Sequence, residues 1–130
     1  MSTHAVKKID EMEAIYLGAF KRARAELGVE SFGISIIDLP PNFENYPEHD
    51  HAKDGQEEVF IALRGSGEIE IAGERYPLDP DHIARVASGT MRKVWPGPDG
   101  LRLLAIGGVP GGEYVPPDNS KLGEPDPMAS

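Results

Sequence analysis

The sequence has no cysteine. That excludes disulfides, thiolate metal sites and a cysteine nucleophile. Basic residues are few, with 13 Lys and Arg against 22 Asp and Glu, a formal net charge of −9. They also do not cluster, so neither a nucleic-acid surface nor an anionic membrane surface is expected as a partner. The nearest group, Lys21-Arg22-Ala23-Arg24, reads as the wet face of a helix. Long apolar runs are missing too. Nothing spans a bilayer, and the first residues lack a signal-peptide core, so the cytoplasm is the expected compartment. Ser66 and Ser88 have no His and Asp arrangement around them that would make a serine nucleophile.

What the chain does have is turn formers. Fifteen Gly and 12 Pro in 130 residues favour many short strands over a helical bundle. The length fits one domain with a real core. Three segments are expected: an N-terminal arm or helix over 1–30, a β-barrel over 31–115, and a flexible C-terminal tail over 116–130. In the arm, apolar residues at 12, 15, 16, 20, 23 and 27 follow a helical stripe that Gly18 interrupts. A helix is therefore expected over about Ala19 to Leu27, with Gly28 as a left-handed cap, while Ala14 to Leu17 fits a helix or a short strand.

Strands are expected over Ser31–Leu39, Glu57–Arg64, Glu68–Ala72, Glu74–Leu78, His82–Ala87, Met91–Trp95 and Leu101–Ile106. Gly65-Ser66-Gly67 and Pro96 to Gly100 are read as turns between them. Close, regular turn spacing over about eight strands is the pattern of a double-sheet jelly roll.

The chemistry concentrates in Tyr46 to Gly67. His49 and His51 are two apart, so on an extended strand both imidazoles share a face. Glu58 follows on the next strand. Two imidazoles and one carboxylate can hold a divalent metal with positions left open. Tyr46 stands just before the histidines, and Phe60, Met91 and Trp95 are candidates for a pocket wall or for core. His82, at a turn, reads as a surface histidine.

Glu48-His49-Asp50-His51, Glu57-Glu58-Val59-Phe60 and Gly65-Ser66-Gly67 resemble the first conserved motif of the cupin superfamily. The resemblance runs from about Phe32 to Ile106. It implies an all-β double-stranded β-helix, a jelly-roll-like barrel, with His49, His51 and Glu58 as ligands of a divalent metal such as Fe, Mn, Ni or Zn. Small cupins similar to this chain are often homodimers, and the N-terminal arm would take part in the packing.

The second motif of the family departs here. Pro80-Asp81-His82 and Ala87 to Arg92 keep only Pro80 and Gly89, and Arg92 stands where a third histidine ligand would be. Arginine stays protonated and cannot ligate. Three readings of Arg92 follow: a clamp for an anionic substrate beside the metal, a partner of Glu58 or Glu57 in a metal-free pocket, or a solvated outward side chain. The substrate-binding candidates are Arg92, Tyr46 and Phe60. Two function classes stay open at this point. One is a metal-dependent oxygenase, isomerase or lyase acting on a small polar or anionic molecule, with no catalytic acid or base assigned. The other is a metal-free small-ligand-binding or sensor module with Arg92 at its pocket.

Overall fold

The computed structural model describes residues 3–128. The strands are β1 (Ala14–Ile15), β2 (Phe20–Lys21), β3 (Gly33–Leu39), β4 (Glu57–Ile71), β5 (Glu74–Leu78), β6 (Ile83–Val86) and β7 (Arg92–Gly108). Among the described residues one short α-helix, α1 (Ala23–Leu27), ends on Gly28 at φ 81°. Only a left-handed residue closes the helix there, which is why glycine suits the position. The pairing order is β1-β2-β3-β7-β4-β5, all antiparallel, with β6 on the other edge of β4. No helix of the described residues is long and apolar enough to cross a membrane.

Two long strands replace four shorter ones. Gly65-Ser66-Gly67 is not a turn but part of β4, and the expected turn at Pro96 to Gly100 lies within β7. The ladder between them shifts register at Ala62/Arg64 and at Gly65/Gly67. Such bulges bend a strand without ending it, and they tolerate proline because the ladder is already irregular. The glycines are required by close approach. A Cβ on Gly65, at φ 81°, would lie 2.2 Å from the Gly100 carbonyl oxygen, and one on Gly67 would lie 2.3 Å from that of Trp95.

Strand alternation sets the core. Phe60, Ala62, Ile69, Leu78, Val86, Val94 and Leu103 point inward and are buried. Met91 is exposed. Trp95 is on the outer pleat, its ring between the Arg75 and Lys93 cations at 4.2 and 4.3 Å.

The arm departs from expectation. Lys21 and Arg22 are buried, not a wet helix face. Lys21 belongs to β2, which extends the sheet at β3, and its ammonium lies 2.9 Å from Asp38. Arg22 donates to Glu13 at 2.7 Å and to the Asn119 carbonyl at 2.8 Å. The C-terminal segment lies against this arm. The Asp126 carboxylate accepts from the Tyr16 and Leu17 amides, and Glu13 accepts from the Gly123 amide. Tyr16 and Leu17 are both left-handed, at φ 55° and 58°. Their successive N–H groups form the kind of concavity that holds a carboxylate. Positions 129 and 130 of the expected tail, and 1 and 2 of the arm, lie outside the described residues.

Asp38 sits under the arm with Arg102 Nε at 2.7 Å and Lys21 at 2.9 Å. Burial pushes its pKa up, but the hydrogen bonds from Arg102 and Lys21 outweigh that and hold it below the usual 3.8. A depressed folded-state pKa contributes stability above the unfolded value, and that contribution is lost as the pH falls through the folded value. The melting temperature is therefore expected to fall below about pH 4. Asp38→Asn should lower it at neutral pH and flatten this acid limb. Melting curves from pH 6 to pH 2 for both proteins check it; parallel curves would contradict the assignment.

Candidate functional site

The segment carrying the histidines is extended and pinned to the start of β7. His49 and Arg92 exchange backbone hydrogen bonds of 3.0 and 2.8 Å, and the His51 amide donates to the Ser88 carbonyl at 2.7 Å. With a period of two, His49 and His51 face the same way, and their rings meet edge to face at 5.2 Å. Asp50 points the other way and accepts from the Ala52 amide. Glu58 reaches the same place from β4, where it is paired with Gly107 of β7 and Val86 of β6.

One ligand atom from each of His49, His51 and Glu58 lies within 4.8 Å of the other two. The donor chemistry fits a metal. His49 Nδ1 lies 3.0 Å from the Pro47 carbonyl and His51 Nδ1 lies 3.0 Å from Asp54 Oδ2. Both partners only accept, so each Nδ1 donates, and a neutral ring then carries its lone pair on Nε2. This is the support commonly found behind histidine ligands. His51 Nε2 is buried without a hydrogen-bond partner. It lies 3.1 Å from Glu58 Oε1, close enough for an ion pair but off the line of a hydrogen bond.

Arg92 is completely buried, so the outward, solvated reading does not hold. Its Nη1 donates to Glu58 Oε1 at 3.3 Å and its Nη2 to the Ala87 carbonyl at 2.9 Å. Its Nε has no partner. Both charged contacts of Glu58 thus fall on Oε1. The His51 imidazole has a raised pKa. The Glu58 carboxylate is the main cause, burial opposes it, and Asp54 adds to it.

A cavity of about 1280 Å³ opens on this group. Tyr46 borders it and is buried, with its ring 5.8 Å from that of His49. Burial first, then the Glu58 charge, pushes its phenol pKa far up, so it stays a neutral donor. Phe60 is fully buried in the core cluster and Arg92 lies behind Glu58; neither borders the cavity. His82 is exposed and paired with Asp79 at 2.8 Å, away from the site.

Three neighbours were not singled out from sequence. Gln56 is buried beside Asp54, donating to it through its backbone amide at 3.1 Å. Gly107 makes room for it: a Cβ there would lie 2.5 Å from Gln56 Oε1. Tyr114 borders the cavity too, with a pKa raised by burial. No local pattern marks these three, because the barrel brings them together from distant positions.

No family model matches the chain, and no curated protein matches it. Solved structures do. A cupin protein from Bacteroides fragilis has a TM-score of 0.69 at 21% identity, over 90% of this chain and 93% of that one. The cupin domain of a transcriptional regulator from Enterobacter cloacae has 0.55 at 21%, over 64% and 86%. A predicted oxalate decarboxylase from Thermotoga maritima has 0.54 at 21%, over 62% and 68%. At such identities the likeness speaks for architecture, and the architecture of this chain is the all-β cupin fold.

Proposed function

We propose that this chain is a small cupin that binds a divalent transition metal through His49, His51 and Glu58. The bound ion would interact with a small molecule entering from the cavity. The observation that carries the reading is the pair of Nδ1 contacts of the histidines. Pro47 and Asp54 take up both Nδ1 atoms, which turns two Nε2 lone pairs toward one carboxylate. A divalent ion there supplies Lewis acidity and open coordination positions, which serve an oxygenase, an isomerase or a lyase alike. The chain's own groups orient the ligand. Tyr46 offers a neutral donor at the wall, and Asp54 and Pro47 fix the imidazole planes. Arg92 balances the Glu58 charge from behind instead of reaching the ligand. A homodimer in the cytoplasm is part of the same proposal.

A second reading has its own support. With Arg92 on Glu58 and the His51 pKa raised by the same carboxylate, the group is balanced in charge without an ion. The chain would then be a metal-free ligand-binding or sensor module.

Elemental analysis separates the two. The untagged protein, refilled with iron, manganese, nickel or zinc, is expected to hold about one equivalent, and His49→Ala to hold none. A parent protein that stays empty after refilling leaves only the metal-free module.

A further inference from the structure

We propose that the ligand of this cavity is amphipathic: a single coordinating polar head on an uncharged aliphatic or aromatic body. This rests on the three-residue site above for the head and on the barrel wall for the body. The wall can be read row by row, because β3, β7 and β4 are paired in register. Glu58, Gly107 and Gly33 form the first row of the inner face. Two residues further along come Phe60, Ala105 and Ser35, then Ala62, Leu103 and Ile37, then Leu101 with Leu39. From the Glu58 row to the Leu101 row is six residues of β7, roughly 20 Å of strand.

Polarity drops abruptly along that length. Ser35 is the last polar side chain on these rows; Ala105 lies level with it, and Ile37, Leu101 and Leu39 border the cavity beyond. Asp38 and Arg102 alternate with these residues and border the cavity too, but they are bound to one another. On these three strands the inner face holds no cation between Glu58 and Leu101. The other cations that border the cavity are Arg22, held by Glu13 and the Asn119 carbonyl, Arg24, held by the Val29 carbonyl, and Arg64 at the far end beside Gly65. A sugar or a polyanion laid along the rows from Ala105 to Leu101 would leave the polar groups on that side facing aliphatic carbon without partners, at a cost that an alkyl or aryl body avoids.

The test is a series of straight-chain hydroxamates, from acetohydroxamate to hexanohydroxamate, titrated calorimetrically into metal-loaded and metal-free protein. Affinity should rise about threefold to fourfold per methylene, on the order of a hundredfold across the series. Ser35→Phe fills the cavity one row from Glu58 and should abolish the dependence on chain length while metal content stays at the parent level. Ile37→Thr, a milder change on the next inner row, should reduce it. Equal affinity of short and long members in metal-loaded protein overturns the amphipathic ligand and leaves the metal site standing. If the parent holds no metal, the metal reading fails by itself. The apolar wall is then read from the metal-free titration, where a rise with chain length supports it and a flat series overturns it.

Discussion

Glu58→Ala is expected to destabilise the protein by about 3 kcal/mol or more, the largest loss of any single change in the site. The reason is Arg92. Its guanidinium has no exposure, and among the described residues Glu58 is the one carboxylate paired with it. With Glu58 gone, a buried cation would keep a single hydrogen bond, to the Ala87 carbonyl. Breaking one side of such a pair costs more than removing both sides. The double variant Glu58→Ala with Arg92→Met should therefore recover most of the lost stability. Glu58→Gln, which retains an acceptor, should fall between. All three should lose the metal, because none presents the carboxylate that ligates. Urea midpoints and metal content on the same samples check both halves. An unchanged midpoint in Glu58→Ala would mean that the pair does not hold the barrel end together. Metal retained in that variant would remove Glu58 from the ligand set.

Arg92→His should bind the metal at least tenfold more tightly than the parent. Two effects add. The substitution deletes a fixed cation behind Glu58, and even at an effective dielectric of about 20 a cation and a dication a few Å apart repel by several kcal/mol. It also places a neutral nitrogen donor at a position whose backbone is hydrogen-bonded directly to His49. Competition against a chromophoric chelator measures the change. Should the affinity stay level or fall, Arg92 does not occupy a ligand position, and the carboxylate–guanidinium pair matters for folding alone. Because Arg92 is completely buried, the variant's melting temperature belongs beside the affinity to show that it folds.

Local rules sufficed for much of this molecule. The spacing of His49 and His51 put both rings on one face because strands alternate with period two, whatever surrounds them. Gly28 closes α1 because only a left-handed residue fits there. Period two in Glu57 to Arg64 puts Glu58, Phe60 and Ala62 on one face for the same reason, and the structure buries Phe60 and Ala62 there.

Other features depend on partners far away in sequence. Gly65 to Gly67 and Pro96 to Gly100 carry turn residues, yet each lies within a continuous strand because the other stands across from it and both bulge together. Lys21 and Arg22 carry charges that read as solvent-facing, but Asp38, Glu13 and the Asn119 carbonyl cover them. The role of Arg92 had three readings from sequence. Its burial removed the solvated one and put the guanidinium on Glu58, away from the cavity wall.

The sequence by itself determined the residue types of the site, the faces they share on each strand and the fold class, since these follow from short-range geometry and turn chemistry. Only the tertiary structure decided which carboxylate Arg92 neutralises, which atom of each imidazole is left free, and how far the apolar wall extends from Glu58. Each of those depends on a contact between strands distant in the chain, and such a contact is set by register and burial, not by neighbouring residues.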